Sequence, residues 1–567
     1  MITKNQPVAS ILQRLGDILE IKGENQFKVN AYRKVVRVIG DLTEDIEVIW
    51  REGRLTEIPG IGKGIAERIE EYLTTGEINT YEEAKREIPE GLVDLLKIQD
   101  LGPKTLAMAF RKLGVRDLED LKKVVNDGSL AALPGMGEKK VDNIRRGIKL
   151  YQTSQERLLL GVALPLVEEI ISELEGLKEV VRVSPAGSLR RMKETVGDID
   201  ILVSGESGEE IVRFFTQLPQ VEEVLAAGQT KGSIITHEGV QVDLRVVEAG
   251  SFGAASQYFT GSKAHNIKLR ERARAKGLKI NEYGVFEGKT KIAGAEESEV
   301  YQTLGLPWIP PEVREDRGEI EAALEDRLPG LVELKDIKGD FHVHTRYSDG
   351  FSSLTDIAQR GREMGYEYIL LCDHSPLARY AGGLSEERLK ERAEEIARIN
   401  SQLKGFKLLV GTEVDIRADG TLDYPDDILA GFDIVVAAVH SGFKHNVTER
   451  ICRAMENPHV DIIAHPTGRL ISSREGYAVD IEKVIKGAAK TGTVLEINAY
   501  HERLDLDDIN CRRAKELGVK LAISTDSHAL SQLEMMRFGV GVARRGWLEP
   551  ANILNTFSLD RLVSGDW

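Results

Sequence analysis

Three aspartates in the middle of this 567-residue chain have the type and spacing of a metal-binding catalytic group. Asp198 and Asp200 lie two apart in AGSLRRMKETVGDIDILV (186–203), and Asp243 lies in QVDLRVV. Residues i and i+2 of a strand share one face, so the two carboxylates of DID can hold divalent cations together. Two magnesium ions on three such carboxylates would activate a 3′ hydroxyl, bridge a triphosphate and neutralise a pyrophosphate leaving group. That is nucleotidyl transfer. Upstream, Gly187 and Ser188 open a turn whose N–H and hydroxyl can hold phosphate oxygens, Arg191 adds a charged fork, and Gly197 leads into the aspartates.

A second chemistry lies further on, where nine of the 11 histidines fall after residue 339. DFHVHTRYSDG (340–350) sets His342 and His344 on one face of a strand, with Asp349 in the turn that follows. Then come His374 in LCDHS, Glu413 in GTEVD, His440 in AAVHSG, His465 in AHPTG, and Asp526 with His528 in STDSH. Nine N and O ligands without a cysteine suit two or three zinc or manganese ions. Such a cluster lowers the pKa of a bridging water and stabilises a phosphoryl transition state, as phosphoester hydrolysis requires. His445, His459 and His501 read more simply as core or surface groups, although His501 and Arg503 in NAYHERLDL can reach a substrate phosphate.

The elements that must position these groups follow from periodicity. Short apolar runs (YILLCDH, KLLVGTEVDI, DIVVAAVH, VDIIAHP, TVLEIN, KLAISTD) alternate with helical stretches after residue 338, as in a parallel β/α barrel whose C-terminal rim would gather all nine ligands. Between about 160 and 305, DIDILV and QVDLRVV alternate with the helical LVEEIISELEGL and GEEIVRFFTQL, implying a sheet with helices packed on it. Up to about residue 150 the pattern is amphipathic and helical. Three segments there repeat one form: LTEIPGIGKGIAERI, LLKIQDLGPKTLAMAF and LAALPGMGEKKVDNI. In each, glycines (Gly60, Gly62 and Gly64; Gly102; Gly135 and Gly137) precede a helix start, beside Lys63, Lys104 or Lys139 and Lys140. Backbone N–H groups at such a turn can face a nucleic-acid phosphate without reading sequence.

Composition sets the bounds. With 41% hydrophobic and 30% charged residues, the chain has enough apolar material for several cores, and no apolar stretch is long enough to span a membrane. A cytoplasmic protein is expected. Three cysteines without a CxxC exclude a disulfide framework. The net charge of -16 does not lie in residues 1–150, where Lys and Arg balance Asp and Glu at 25 each. WIPPEVREDRGEIEAALEDRLPGLVELKDIKG (308–339) reads as a linker with a short solvated helix.

VNAYRK (29–34), PGIGKG (59–64), GSLRR, GDID, VDLR, and YFTGSKAHN (258–266) followed by KINEYGVF together resemble family-X DNA polymerases, the group of the repair polymerase β, over residues 5–310. HxH, SDG, DH, TE, VH, HP and TDSH in that order resemble a PHP (polymerase and histidinol phosphatase) domain over 338–567. The resemblance implies a multidomain α+β and α/β chain. It divides into a helical DNA-end-binding domain (1–88), further helix-hairpin-helix repeats (89–150), a nucleotidyltransferase palm (151–248), a nucleotide-binding subdomain (249–312), a linker (313–337) and a distorted β/α barrel (338–567). It further implies that Tyr258 and Phe259 flank the sugar, that Gly261 admits the nucleotide, that Asn266 contacts the incoming base, and that Lys28 and Tyr32 meet a 5′ phosphate. The partners implied are gapped or nicked DNA with a 5′ phosphate and dNTPs, with the protein a monomer. The activities implied are gap filling in base excision repair and metal-dependent 3′ to 5′ exonuclease. Arg68 stands where a lyase lysine is expected, and an arginine does not form a Schiff base. The alternative is a DNA-end-binding scaffold with PHP phosphatase or nuclease activity alone.

Overall fold

The computed structural model describes residues 4–40, 46–58, 60–98, 101–155 and 157–565. Pro59 of PGIGKG and the Gln99–Asp100 pair before Gly102 lie outside them. The chain forms two compact units, one of residues 1–155 with 472–474, the other of 156–471 and 475–567.

The first unit is helical, as the periodicity requires. Asn5–Lys22 and Gln26–Gly40 pack on each other, and further helices carry the three glycine turns. All three turns share one backbone bond: Ile61 N–H to Ile58 O (3.0 Å), Leu101 to Ile98 (3.1 Å) and Met136 to Leu133 (3.0 Å). The next helices begin at Lys63, Pro103 and Glu138.

The second unit contains three sheets that matter to function. The first has the strand order Val180–Pro185, Asp198–Gly205, Gln241–Val247, Lys231–Thr236, Val221–Ala227, with the second and third parallel and the other pairs antiparallel. Alternation sends Val242 and Leu244 inward, toward the helices Leu160–Glu175 and Gly208–Phe215, and Asp243 and Arg245 to the other face. A three-stranded antiparallel sheet (Leu278–Ala293) follows, with helices Phe252–Thr260, Lys263–Ala275 and Glu297–Thr303 around it. The third sheet has seven parallel strands in chain order from Gly339–Val343 to Leu521–Ser524. It closes where His344 N–H bonds Ser527 O (2.8 Å).

The segment expected as a solvated linker is packed instead. Ile309, Val313, Ile320 and Ala323 join the core formed by Leu269, Val285 and Tyr301. Arg314 is fully buried, donates to Glu297 (2.5 Å) and to Ile309 O (2.8 Å), and lies over the Tyr301 ring. Glu319 is also buried and pairs with His265 Nδ1 (2.6 Å). Two of the charges in this stretch are thus paired inside the protein, while Glu321, Glu325, Asp326 and Arg327 further on are exposed. Glu297→Ala would leave the Arg314 guanidinium buried without its carboxylate, at a cost of about 3–5 kcal/mol. A lowered thermal transition of the full chain is the expected result, and an unchanged one would refute the pair's structural role.

One hydrophobic core runs from Leu160 of the helix packed on the first sheet and Ile199 and Leu244 of that sheet through Val343, Val414 and Ile497 of the barrel to Val542. The two halves of this unit are therefore packed together rather than tethered.

Candidate active sites

The first site forms where two parallel strands put Asp200 directly beside Asp243. Asp198 is exposed at the strand start, opposite Gln241. Burial, then the Asp198 and Asp243 charges, pushes the Asp200 carboxyl up to about 6. Asp243 accepts bonds from the Ser233 hydroxyl and from Gln241 Nε2 (3.2 Å). Gly187 has φ +62°, and a Cβ there would stand 2.9 Å from Asp200 Oδ2, so only glycine fits against the carboxylate. Ser188 follows it in the short helix Gly187–Arg190, and Gly197 is half-buried before the strand.

Tyr258 and Phe259 end the helix Phe252–Thr260, their rings edge-to-face at 5.1 Å, with Arg245 stacked 4.7 Å from the Phe259 ring. Two residues depart from the sequence reading. Arg191 does not present a free fork: its Nε donates to Glu315 (3.0 Å) and its NH1 to Thr260 O (2.7 Å). Asn266 holds the YFTG turn, donating to Tyr258 O (2.7 Å) and Gly261 O (3.1 Å) and accepting from Gln257 (2.7 Å). A Cβ at Gly261 would meet Asn266 Oδ1 at 2.6 Å, which gives that glycine a packing reason. Neither set of contacts is visible in sequence, because each partner comes from a different element.

In the helical unit, Gly62, Gly102 and Gly137 are exposed at helix starts, and a Cβ on any of them would touch nothing within 4 Å. Packing does not demand glycine there, whereas close approach of a ligand to the backbone would. Gly60 and Gly135 adopt φ of +93° and +75°, which do favour glycine. Lys63 and Lys104 are not buried, Gly64 O accepts from Arg68, and Lys28 is exposed beside Glu24 (3.6 Å). Tyr32 differs from expectation: it is 3% exposed, so its ring belongs to the core and not to an open phosphate contact.

The barrel rim gathers the nine predicted ligands. Among the described residues, three groups have ligand atoms all within 4.8 Å of one another: His344, Asp349, His374 and His528; His342, His344 and Asp526; His374, Glu413 and His440. His465 Nε2 joins them 3.1 Å from Glu413 Oε1. The Nε2 atoms of His342 and His344 are 3.1 Å apart. His374 Nδ1 and Glu413 Oε2 are buried and 2.8 Å apart, yet neither makes a hydrogen bond, and His344 Nδ1 is orphaned likewise. Buried polar atoms that face one another without bonding fit a site built for cations. Burial resists ionising these imidazoles, but Glu413, then Asp349, pushes His374 up to about 11, while burial and the neighbouring His528 bring His344 down to about 4. His465 and Asp526 adopt left-handed φ of +29° and +53°, strain of the kind that concentrates at functional sites.

Sequence reasoning misses the groups that orient these ligands. Glu496 accepts from His342 Nδ1 (2.8 Å) and from His465 N–H (2.6 Å), and Asp415 lies 3.2 Å from His440 Nδ1. Buried Asp373 is paired with buried Arg392 (2.7 Å) and takes the Thr345 N–H (2.9 Å). The signal is present as single acids inside apolar runs, Glu496 in TVLEIN and Asp415 two after Glu413. His501 packs on Gly161, away from a ligand role, and Arg503 Nε lies 3.6 Å from Asp526.

Comparison with known proteins adds independent findings. Residues 3–78 match a helix-hairpin-helix domain, 92–149 a SAM-like helix-hairpin-helix tandem, 255–315 the DNA polymerase beta thumb, and 340–499 the PHP domain. The chain is 41% identical to the Bacillus subtilis DNA polymerase/3′-5′ exonuclease PolX over 97% of both chains. It is 27% identical to Arabidopsis thaliana DNA polymerase lambda over 55% of this chain and 62% of that one. Over 38% of this chain it is 32% identical to 89% of a protein named a probable phosphatase from Thermoanaerobacter sp. (strain X514). No helix among the described residues is long and apolar enough to cross a membrane.

Proposed function

The chain belongs to the family-X DNA polymerases that carry a C-terminal PHP domain, and from that premise we propose how its residues divide two reactions between them. It is a DNA polymerase with 3′ to 5′ exonuclease activity, dependent on metal ions and acting on DNA with dNTPs. The observation that carries the assignment is that one chain holds both the Asp200–Asp243 strand pair beside Gly187 and the nine-ligand rim.

In synthesis, Asp198, Asp200 and Asp243 would hold two Mg²⁺ ions, which would supply Lewis-acid activation of the primer hydroxyl and charge neutralisation at the leaving pyrophosphate. Gly187 and Ser188 take triphosphate oxygens through N–H and hydroxyl donors. Tyr258 and Phe259, their rings packed edge-to-face, wall the sugar and exclude a ribose 2′ hydroxyl, as the family resemblance implies. The helix-hairpin-helix glycines hold the duplex backbone, bringing a gapped or nicked substrate with a 5′ phosphate to a monomeric enzyme at the nucleoid. Arg68 in place of a lysine leaves the chain without a Schiff-base lyase at that position.

In hydrolysis, the rim histidines and acids would hold two or three Mn²⁺ or Zn²⁺ ions, which would lower the pKa of an attacking water. Glu496 and Asp415 fix the rings of His342 and His440 so that their free nitrogens face inward.

The test is primer extension on a one-nucleotide gap with a 5′ phosphate, in Mg²⁺ or Mn²⁺, with and without dNTPs. Filling with dNTPs and 3′ shortening without them is expected, and shortening alone would reduce the first half of the chain to DNA binding. A pH dependence follows from Asp200. Below its value of about 6 a proton occupies the carboxyl that a cation needs, so metal affinity falls as pH falls. The Mg²⁺ concentration for half-maximal incorporation should rise about fourfold from pH 7.5 to 5.5. A flat requirement would remove Asp200 from the metal site.

A further inference from the structure

The loop leading out of the proposed phosphate turn, Arg190–Glu194, is held from the barrel side. Arg545 ends the helix Met536–Arg545 of the barrel half and is 5% exposed. Its NH1 donates to Arg191 O (2.8 Å) and to Glu315 Oε1 (3.0 Å), and its NH2 to Asp508 Oδ2 (2.7 Å). Glu315 also accepts Arg191 Nε, and Arg191 NH1 continues to Thr260 O inside YFTGS. A second tie runs from Arg469 NH2 to Glu194 (2.7 Å). Between the ties, Met192 sits at φ +53°, a conformation that its side chain disfavours. It lies against Gly541, where a Cβ would come 2.7 Å from Met192 Cε and 3.1 Å from its Cβ.

A cavity of about 490 Å³ flanks the loop, lined by Met192, Glu194, Arg469 and Arg545 among others. Packing on that side is incomplete: the left-handed residue closes the short helix, with Met192 N–H on Leu189 O (2.8 Å) and Lys193 N–H on Ser188 O (3.1 Å), and the polar bonds from the barrel side add to that hold. We propose that Arg545 is a positioning residue for nucleotide addition. Acting through Arg191 and Glu315, it sets both the Gly187–Ser188 turn and the Thr260 carbonyl, so the barrel domain completes the nucleotide subsite of the polymerase half. The proposal rests on reading that turn and YFTGS as the nucleotide subsite.

The test uses the full chain on the gapped duplex, with dNTP KM and kcat measured separately and exonuclease rate and melting temperature recorded on the same preparations. Arg545→Gln should raise the dNTP KM on the order of tenfold or more, with kcat changed less and the exonuclease rate within about twofold, because a displaced subsite misplaces the nucleotide without touching the rim. Arg545→Lys, which keeps the charge but not the two-way fork, should fall between wild type and Gln. Arg537→Gln is the interface control: its pair with Glu168 (2.8 Å) joins the same halves without touching the loop, so its KM should stay at the wild-type value. Should Arg545→Gln fold poorly, Glu315→Gln removes the shared carboxylate charge and should raise KM in the same direction. An unchanged KM in folded Arg545→Gln or Glu315→Gln overturns the proposal, as does an equal rise in Arg537→Gln, which would mean general loosening. Failure of the wild-type chain to add nucleotides would overturn the polymerase reading itself.

Discussion

Replacing Asp198 and Asp200 together by Ala abolishes nucleotide incorporation while 3′ shortening by the barrel continues. Charge stabilisation by the two proposed ions would be worth several kcal/mol, so a loss on the order of a thousandfold or more is expected in a gap-filling assay. The variant separates chemistry from folding unusually well. Asp198 is exposed, and the charge of Asp200 is opposed by burial and by two like-charged neighbours, so removing both relieves an electrostatic cost. The double variant should therefore melt no lower than wild type near neutral pH, where Asp200 is ionised. Incorporation surviving in a folded double variant would sink the assignment of these aspartates.

The second large effect is on hydrolysis. His342→Ala with His344→Ala removes ligands shared by two of the three groups at the rim, since His344 belongs both with Asp349, His374 and His528 and with His342 and Asp526. Bound metal, measured by elemental analysis of purified protein, should fall by at least one ion per chain. The 3′ to 5′ exonuclease rate should drop by about a thousandfold or more. Both histidines are fully buried or nearly so, and Glu496 loses the proton donor at His342 Nδ1, so some stability is lost as well. Gap filling supplies the control. Its site shares no residue with the rim, and retention of gap filling shows that the chain still folds. Unchanged degradation of a 3′ end would contradict the proposed role of the rim.

Both groups of candidate metal ligands are legible in the order of residues alone. Alternation in DIDILV and QVDLRVV sets the aspartates on the face away from the helices, because the side-chain period of a strand is two whatever the strand packs against. Histidines at the ends of apolar runs imply a rim for the same kind of reason, since parallel strands with short connections present their C-terminal ends together. The glycine turns are legible as a repeat, and the structure shows them sharing one backbone bond.

Where sequence and structure part, the cause is the same each time. The stretch after residue 307 has the charge pattern of a solvated linker, but burial depends on which partners arrive from far along the chain. Arg314 meets Glu297, and Glu319 meets His265, 54 residues earlier. Arg191 reads as a free fork because its acceptors, Thr260 O and Glu315, belong to other elements. Tyr32 is set at a 5′ phosphate by the family resemblance, although its place on the helix turns it inward.

What the sequence determined by itself was the chemistry: which side chains are present, which share a face, and which lie at the end of a strand. These depend on residue type and local period alone. Only the tertiary structure decided which groups orient the ligands, which arginines are already paired, and that the barrel is packed against the polymerase half instead of hanging from a linker. Each of those depends on contacts between residues distant in the chain, where burial turns a charge from a solvated group into one that must find a partner.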